Sequence, residues 1–386
     1  MSESLNLDLN LDYDFLETDI SDSSNAIDSL NSNCRYIDEG ELSKFFTHSN
    51  CSPINILHIN CRSLNKNFSS IKQLLNTIDC KLSCLAVTET WLNCESEKYV
   101  SLPGYNFVSK TRLDKVGGGV GLYINDCFNY IVREDISRMT SFIECVFIEI
   151  IQIGQRNIIL GCFYRPPNSD VALFNSDMLT ILTVLSSERD KVLVVACDSN
   201  LDLLKASNHA PTSEFLNQML CHSLYPAINK PTRITEHSAT LIDNIFTNCL
   251  PDKIDSCIIY NDISDHLPVV ARIEINCVKQ KTSRVIKHRI FDHISIDNFI
   301  SSLNSKSWED VYNNVNNEHD VNKAYNSFLY SYKILFDQHF PEKTIKQSYS
   351  MTPRQKWMTK GLMKACITKA KLYKKYLKSH TDESKA

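Results

Sequence analysis

The sequence lacks the features of membrane and secreted proteins. No run of eighteen or more apolar residues occurs, so no transmembrane helix is predicted. The first ten residues, MSESLNLDLN, have neither the basic nor the apolar region of a secretory signal. The 15 cysteines include no CxxC pair, so neither a zinc ribbon nor a disulfide framework is indicated. We therefore predict an intracellular protein that engages no membrane and whose cysteines are reduced and mostly buried.

Acidic and basic residues are separated along the chain. The 386 residues are 43% apolar and 22% charged, as in a globular protein of two domains or of one large domain with extensions. The net charge of −4 is the sum over three parts: an acidic leader, residues 1–50 with 11 acidic and 2 basic side chains; a central part, residues 51–276 with 24 acidic and 19 basic ones; and a basic part, residues 277–386 with 10 acidic and 20 basic ones. No acidic residue occurs between Arg354 and Lys378. The basic part could bind nucleic acid or form a solvated lysine-rich helix, and charge alone favours neither.

The pattern of apolar residues predicts a mixed α/β domain between residues 51 and 276. Short apolar runs such as INILHIN (54–60), SCLAVTE (83–89) and KVLVVAC (191–197) are typical of strands. Helices are predicted near 171–187 and 212–222. About ten strands and few helices favour an α/β sandwich, two packed mixed sheets flanked by helices, over a doubly wound sheet. The leader, rich in Asp, Asn and Ser, is predicted to be largely disordered.

Helices are predicted in the basic part as well. Over 321–336 apolar side chains recur at helical spacing, with Val321, Tyr325 and Phe328 on one stripe that Tyr332 and Leu335 continue. A second helix is predicted to begin at Thr352–Pro353 and to run towards Ser379. The apolar side chains that line one side of it are Leu362, Cys366, Ala370, Tyr373 and Leu377. Residues 277–386 would thus form a helical extension of the α/β domain.

Polar residues stand at the ends of several predicted strands, within the apolar run ATLIDNIF and just before the last strand. They are Asn60, Glu89, Tyr164, Arg165, Asp198, Asn200, Asp243, Ser264, Asp265 and His266. Any one of them is explained by the preference of Asp and Asn for turns, but the strand ends of one sandwich can converge at its rim. Glu89, Asp198 and Asp265 carry the oxygen ligands that Mg²⁺ prefers, and a histidine with a carboxylate partner can serve phosphate-ester cleavage. Asp198 and Asn200, two apart on an extended segment, would face the same way, so that one could activate a water that the other orients.

This ordered set resembles the endonuclease/exonuclease/phosphatase superfamily. The segments HINCRSLNKN, LAVTETWL, GGGVGLYI, FYRPPNSD, KPTRIT, ATLIDNIFTN and ISDHLPV are similar, more narrowly, to the endonuclease domain of non-LTR (LINE-type) retrotransposons. The resemblance covers residues 51–276. The segment WMTKGLMKACITKAKLYKKYLK resembles the basic linker that precedes the reverse transcriptase in such elements, and the polymerase itself is absent from the 386 residues.

The resemblance implies a four-layered α/β sandwich that uses Mg²⁺, with Mn²⁺ as a possible substitute, to nick one strand of duplex DNA. The nick would leave a 3′-hydroxyl that primes reverse transcription. Glu89 would be the chief metal ligand and Asn60 would support it. Asp265 would lie near the metal or near His266.

The resemblance also implies roles for the remaining polar residues. Asp198 would position or deprotonate the attacking water, and Asn200 would orient it. Asp243 would hold His266, which would stabilise charge on the scissile phosphate, and Tyr164 would contact that phosphate. Weaker candidates for contacts with the DNA backbone are Arg62, Arg165, Thr232, Arg233 and Ser264.

The chain departs from the family pattern next to Asp198. The family usually has Gly-Asp-Phe-Asn there, whereas this chain has Cys197, Asp198, Ser199 and Asn200. If the first position requires the dihedral angles of glycine, Cys197 would strain the turn, and Ser199 would remove an apolar anchor. Asp198 and Asn200, the two residues with proposed chemical roles, are kept. We therefore predict an active enzyme whose activity is reduced by the changes at Cys197 and Ser199. The segment VGGGVG (116–121) lacks the following Gly-Lys-Ser/Thr of a nucleotide loop and is predicted to be a turn that enters a strand.

Two other functions remain open. One is a phosphatase or phosphodiesterase of the same fold for small or lipid substrates, which FYRPP, LIDNIFTN and the basic part disfavour. The other is an inactive or domesticated nucleic-acid-binding remnant, which the changes at Cys197 and Ser199 and the missing polymerase favour. The resemblance implies duplex DNA as a partner, a reverse transcriptase domain in a full-length element, and a nuclear location. Neither the target sequence nor the oligomeric state follows from the residues.

Overall fold

The computed structural model divides the chain into two compact units, residues 1–280 with 351–386, and residues 281–350. The residues that it describes are 34–47, 53–78, 82–112, 117–188, 190–275, 284–316, 320–347 and 359–379. The predicted disorder of residues 1–33 and the predicted helix start at Thr352–Pro353 lie outside the described residues.

The described residues form eighteen strands and eight α-helices. In chain order the strands are β1 (Arg35–Asp38), β2 (Ile54–Asn60), β3 (Cys84–Thr88), β4 (Tyr105–Lys110), β5 (Val120–Asn125), β6 (Tyr130–Val132), β7 (Arg138–Met139), β8 (Glu144–Ile150), β9 (Ile158–Tyr164), β10 (Val192–Asp198), β11 (Tyr225–Pro226), β12 (Arg233–Ile234), β13 (Ala239–Thr240), β14 (Asp243–Thr247), β15 (Ile254–Tyr260), β16 (Val269–Ile273), β17 (Arg284–His288) and β18 (Lys343–Gln347). The helices are α1 (Leu42–Thr47), α2 (Leu64–Thr77), α3 (Val171–Ser186), α4 (Ala210–Cys221), α5 (His293–Ser305), α6 (Glu309–Asn316), α7 (Val321–His339) and α8 (Lys360–Ser379). None of these helices is both long and apolar enough to span a bilayer.

The first sheet has seven strands in the order β1-β15-β16-β2-β3-β5-β4. Its strand β2 lies between the antiparallel β16 and the parallel β3. Every residue of β2 is buried, including His58 and Asn60, because the sheet is covered on both faces. Leu57 packs with α2 on one face, whereas Ile56 belongs to the core shared with the second sheet. Side chains alternate along a strand, so His58 and Asn60 lie on the face of Ile56, between the two sheets.

The second sheet has the order β11-β14-β10-β9-β8-β6, and β7 pairs with β8. Helices α3 and α4 cover its outer face, where the ring of Phe163 lies 6.0 Å from that of Phe174 and 6.1 Å from that of Phe215. Tyr164 and Asp198 therefore face the first sheet. The four layers are α2, the first sheet, the second sheet, and α3 with α4. The predicted four-layered α/β sandwich is therefore confirmed.

A segment that the sequence assigns to the disordered leader belongs to the first sheet. Strand β1 pairs in parallel with β15, and a 3₁₀ turn (Glu39–Glu41) and α1 follow it. Ile37, Leu42 and Phe45 are buried although acidic residues surround them. The prediction of a leader that extends to residue 50 is therefore wrong for residues 35–47, because a few apolar side chains bury well enough to order a mostly polar segment.

The C-terminal helix α8 belongs to the first unit. Its side chains Ala370 and Leu377 are buried, as predicted for its apolar side, whereas Leu362 is 39% exposed. The ammonium of Lys374 lies 3.3 Å from an oxygen of Asp38. The predicted boundary after residue 276 therefore does not separate α8 from the α/β domain, because the apolar side of the helix finds its partner surface there.

The second unit consists of the antiparallel pair β17 and β18 with α5, α6 and α7 between them in sequence. Phe299 of α5 packs edge-on against Tyr332 and Phe336 of α7. The helix predicted over 321–336 is confirmed as α7. Val321 and Tyr325 are 73% and 59% exposed, so the apolar stripe is covered only in the second half of the helix.

Candidate active site

Four polar residues form a row across the second sheet. Asp243 lies opposite Asp198, Asp198 opposite Tyr164, and Tyr164 opposite Glu144. Residues directly opposite each other on neighbouring strands have side chains on the same face, here the face between the sheets. All four are at most 4% exposed. A buried row of this kind needs partners for each charge, and the first sheet supplies them.

Asn60 connects the two sheets at this row. Its side-chain nitrogen donates hydrogen bonds to Glu89 (2.9 Å) and to Asp198 (2.7 Å). Asn60 is the last residue of β2, and Glu89 directly follows β3, the parallel neighbour of β2. The carboxyl ends of two parallel strands thus bring the predicted metal ligands Asn60 and Glu89 together beside Asp198.

His266 is held on the other side of Asp198. Its Nδ1 donates to Asp243 at 2.9 Å and lies 4.0 Å from Asp198. Burial alone would lower the pKa of His266, but the carboxylates of Asp243 and Asp198 outweigh it and raise the pKa to about 9. Thr232 donates a 2.7 Å hydrogen bond to the same oxygen of Asp243. The imidazole is therefore cationic at neutral pH, and its orientation is fixed.

The two buried aspartates of the row differ in their proton affinity. Burial, and then the charge of Asp243, raise the pKa of Asp198. Burial acts on Asp243 in the same direction, but the attraction and hydrogen bond of His266 lower its pKa overall. Environments that push the pKa values of two carboxyl groups apart in this way are typical of acid–base sites, and here they favour the ionised form of Asp243 over that of Asp198.

Asn200 does not lie on an extended segment, so one premise of its predicted role is wrong. Strand β10 ends at Asp198, and Asn200 has φ 48°, in the left-handed region. Its backbone N–H donates to Asp198 at 3.1 Å, and its side-chain nitrogen donates to the carbonyl of Arg165 at 2.9 Å. Asn200 thus shapes the loop around Asp198, and an interaction of its side chain with water stays a prediction.

Asp265 is paired with two arginines. Arg62 lies 3.0 Å from one of its oxygens, and Arg233 donates to the other at 2.7 and 2.9 Å. Burial acts to raise the pKa of Asp265, but the charge of His266, followed by the hydrogen bonds of the two guanidinium groups, holds that pKa below its usual value. A carboxylate neutralised twice is a poor metal ligand. The structure therefore favours the second of the two predicted places for Asp265, beside His266, over a place in the metal site.

Three of the five residues predicted to contact the DNA backbone make hydrogen bonds within the protein, and their contacts with DNA stay predictions. Arg165 is 3% exposed and donates hydrogen bonds to the carbonyls of Ser199 (2.8 Å) and Asn200 (3.0 Å). It thereby fixes the conformation of the loop after β10. Thr232 is fully buried under Asp243. The hydroxyl of Ser264 donates to the carbonyl of Asn60 at 2.6 Å. Each was implied as a DNA contact by the family resemblance alone, whereas in the structure these polar groups satisfy buried partners of the protein itself.

The other two predicted phosphate contacts remain at the rim. The side chains of Arg62 and Arg233 are 48% and 39% exposed, on either side of Asp265. Tyr164, in contrast, is 4% exposed. Burial, followed by the charges of Glu89 and Asp198, raises the pKa of Tyr164, so its hydroxyl stays protonated. Its contact with a phosphate stays a prediction.

Cys197 causes no strain. It lies in the extended strand β10, opposite Phe163 and Asn244, and it is not among the residues with positive φ. Ser199 is buried, and its hydroxyl donates to the carbonyl of Ile242 at 3.1 Å. The expectation that Cys197 distorts a tight turn is therefore wrong, because the left-handed position of this loop is Asn200.

Two buried residues near the row were missed by sequence reasoning. Glu144 begins β8 and is fully buried. His58 lies 3.9 Å from Asp243, and burial lowers the pKa of its imidazole to about 4, so it is neutral. The alternation in INILHIN places His58 on the same face as Asn60 and could have indicated it. Glu144 could be found only from the pairing register with Tyr164.

No protein-family model and no curated protein matches this sequence. Among solved structures, it is similar to the endonuclease domain of TRAS1, a telomere-specific non-LTR retrotransposon, with 16% identity and a TM-score of 0.43 over 58% of this chain and 100% of that one. AP endonuclease LMAP from Leishmania major is 15% identical, with a TM-score of 0.45 over 58% of this chain and 88% of that one. The catalytic domain of Xenopus laevis APE2 is 16% identical, with a TM-score of 0.45 over 59% of this chain and 94% of that one. These similarities concern the fold alone.

Proposed function

We propose that this protein is a divalent-metal-dependent endonuclease that nicks one strand of duplex DNA. The observation that carries the proposal is the position of Asp198. Its carboxyl group accepts a hydrogen bond from Asn60, which also holds Glu89, on one side, and lies 4.0 Å from the cationic His266 on the other. A proton acceptor between an oxygen-rich pair and a fixed cation is suited to the hydrolysis of a phosphodiester.

Glu89 and Asn60 have the chemistry of a Mg²⁺ site. Glu89 is half-buried, accepts from Asn60 and from the indole of Trp91 (3.2 Å), and forms no ion pair with a lysine or arginine of the described residues. Its negative charge is thus left for a cation, and carboxylate and amide oxygens are ligands that Mg²⁺ accepts, with Mn²⁺ as a substitute. When bound, the ion would act as a Lewis acid towards a phosphate oxygen.

A second grouping of possible ligands is less suitable for a metal. The candidate ligand atoms of Asp198, Asp243 and His266 lie within 4.8 Å of one another. However, the Nδ1 of His266 donates its proton to Asp243, and a cationic imidazole repels a metal ion. We therefore assign this grouping to proton transfer and charge stabilisation.

The residues of the chain would act as follows. Asp198 takes the proton of the attacking water, because its raised pKa makes it a better base than an ordinary aspartate. Asp243 keeps His266 cationic and oriented, and His266 stabilises negative charge on the scissile phosphate. Arg62 and Arg233, partly exposed at the rim, bind flanking phosphates of the DNA.

The retrotransposon reading extends this function. The nick would supply a 3′-hydroxyl to a reverse transcriptase domain of a full-length element, and the protein would act in the nucleus on its target DNA. The reading as an inactive remnant relied in part on Cys197 and Ser199. An unstrained Cys197 and a hydrogen-bonded Ser199 support an active enzyme instead.

A nicking assay tests the proposal. Supercoiled plasmid incubated with the protein and MgCl₂ should become open circular, and EDTA should prevent it. The 3′ end at the nick should support extension by a DNA polymerase without prior phosphatase treatment. Glu89→Gln, which keeps the shape and removes the charge, should be inactive at the same Mg²⁺ concentration. Release of inorganic phosphate from small phosphomonoesters without nicking would favour the phosphatase alternative and refute the endonuclease.

A further inference from the structure

Glu144 is a buried carboxylate that reaches from the second sheet to a glycine turn of the first. It is fully buried at the start of β8, and it accepts hydrogen bonds from the backbone N–H of Gly119 (2.5 Å) and from Nε of Arg112. The guanidinium of Arg112 neutralises its charge. A charged acceptor in a dry site binds a backbone N–H more strongly than a neutral one does.

The N–H that Glu144 holds belongs to the peptide unit between Gly118 and Gly119. The carbonyl of the same unit, that of Gly118, accepts the backbone N–H of Trp91 at 2.9 Å. Because a peptide unit is planar, its N–H and its carbonyl are fixed together. Gly118 and Gly119 have φ values of +64° and +87°, and glycines on both sides allow a peptide unit to rotate unless contacts hold it. Glu144 on one end and Trp91 on the other supply those contacts.

The segment on the far side of this peptide unit carries Glu89. Both Glu89 and Trp91 have positive φ, 49° and 52°, which non-glycine residues rarely adopt. Such a conformation persists only where the surroundings determine it. The N–H of Thr90 donates to the carbonyl of Gly119 at 3.2 Å, and the indole of Trp91 donates to Glu89 at 3.2 Å. The glycine turn therefore holds the backbone of Thr90 and Trp91, and the indole of Trp91 in turn orients the carboxylate of Glu89.

We propose that Glu144 is a positioning residue for Glu89, acting through the Gly118–Gly119 peptide unit and the backbone of Trp91. The inference rests on the proposed function, in which Glu89 binds the metal ion. Without the carboxylate the peptide unit is free to turn over, Trp91 loses its backbone acceptor, and the strained segment around Glu89 relaxes away from its metal-binding geometry. Groups that orient a metal ligand in this way typically change metal affinity by about 10- to 100-fold.

Strand β8 itself provides a matched control. Glu149 is 5% exposed near the other end of the strand, and Arg133 and Lys191 partner its carboxylate. Glu144→Gln and Glu149→Gln therefore each remove one buried, arginine-paired charge from the same strand. Only the first of these charges contacts the glycine turn. Glu144→Asp, which keeps the charge but shortens the reach, serves as a second variant if Glu144→Gln does not fold.

Trp91 offers a binding signal that does not depend on nuclease activity. In a Trp308→Phe, Trp357→Phe background its fluorescence should respond to MgCl₂, because its indole is bonded to Glu89. We expect the apparent dissociation constant for Mg²⁺ to rise about 10-fold or more in Glu144→Gln. It should change less than about twofold in Glu149→Gln, whose partners are remote from the turn. Equal effects in both variants would overturn the proposal and indicate a general loss of strand stability.

A measurement without metal separates this inference from the proposed function. In EDTA, hydrogen exchange at the amide of Trp91 should be about 10-fold faster in Glu144→Gln than in the parent, and unchanged in Glu149→Gln. Unchanged exchange in Glu144→Gln would refute the link between Glu144 and the turn. If the parent protein shows no response to Mg²⁺ while exchange is accelerated as expected, the link stands and the metal assignment of Glu89 falls.

Discussion

Asn60 and Asp198 belong to different sheets, yet the side-chain nitrogen of Asn60 lies 2.7 Å from a carboxylate oxygen of Asp198. The same nitrogen reaches Glu89 at 2.9 Å, so one amide holds a proposed base and a proposed metal ligand at a fixed separation. Together with the Asp243–His266 pair, it closes the rim of the sandwich where the strand ends meet.

Replacing Asn60 by aspartate should expose the importance of this amide. Asn60→Asp removes the donor and places a third carboxylate between Glu89 and Asp198, where like charges repel and raise the pKa of Asp198 further. We expect plasmid nicking to fall by about 10- to 100-fold at 1 mM MgCl₂, with partial recovery at higher Mg²⁺ because the cation compensates the added charge. Asn60→Ala, which adds no charge, should lose activity without that recovery. Normal nicking by Asn60→Asp at 1 mM MgCl₂ would show that the bridge is dispensable.

Removing the imidazole of His266 should lower the nicking rate more than removing the charge of its partner Asp243. His266→Ala should lower the single-turnover nicking rate on the order of 10²-fold or more, as for a charge-stabilising group in a dry site. Asp243→Asn should cost less, because a hydrogen bond to His266 can be kept. Near-normal rates for both variants would mean that the pair has no part in the chemistry.

The Asp243→Asn variant should also change the pH dependence. Asp243 is the foremost of the charges that raise the pKa of His266 to about 9, and burial lowers that pKa. Without Asp243 the pKa falls, so the imidazole loses its proton at lower pH. The alkaline loss of nicking that follows His266 deprotonation should therefore occur at lower pH in Asp243→Asn than in the parent, which should keep His266 protonated until pH approaches 9. Parallel pH–rate profiles would contradict this assignment.

Cys197→Gly should weaken the protein without raising its activity. The sequence pattern alone favours a gain, since the family that the sequence resembles usually has glycine there. The structure reverses the expectation, because Cys197 is 1% exposed in an extended strand, where glycine removes buried side-chain surface and adds backbone freedom. We expect the free energy of unfolding in denaturant to fall by roughly 1–2 kcal/mol. A rise in nicking rate would restore the idea of a strained turn.

Different residues of helix α8 should contribute to packing and to DNA binding. Leu377→Ala removes a buried side chain, 7% exposed, and should lower the free energy of unfolding by roughly 2–3 kcal/mol. The exposed Lys364 and Lys371 lie seven residues apart on one side of the helix, and replacing both by Gln should leave stability unchanged. If both contact DNA phosphates, the slope of log affinity against log salt should flatten by about 2. An unchanged slope would assign these lysines to solvation, the alternative that composition left open.

The residues at strand ends could be predicted because their chemistry depends on strand order. Asn60, Asp198, Asp243 and His266 converge as the sequence indicates, since Asn60 and Asp198 end buried strands, Asp243 begins one and His266 stands shortly before another. The pairing of Asp265 could not be predicted, because its two arginine partners, Arg62 after β2 and Arg233 in β12, come close together only in the folded chain.

The structural roles of Glu144, α8 and β1 depend on strand register and burial, which the composition of a segment does not show. Glu144 belongs to the polar row only through the pairing of β8 with β9, and pairing register is not visible in a single strand. Helix α8 is dominated by lysines in sequence, so its few apolar residues suggested a partner surface without showing which one. Strand β1 lies in a strongly acidic stretch whose ordering depends on only a few side chains.

The antiparallel pairing of β17 with β18 has a consequence for the insertions and deletions that this chain can tolerate. Arg284 at the start of the second unit lies opposite Gln347 at its end, so the unit leaves and returns to the rest of the chain at neighbouring points. Opposed residues of antiparallel strands have Cα atoms only about 5 Å apart. An insert with adjacent ends can grow, shrink or be exchanged for a short linker while α8 still docks beside β15. The position of α8 is thus independent of the length of the second unit that precedes it, and we expect a deletion of residues 284–347, bridged by a few glycines and serines, to leave the first unit folded.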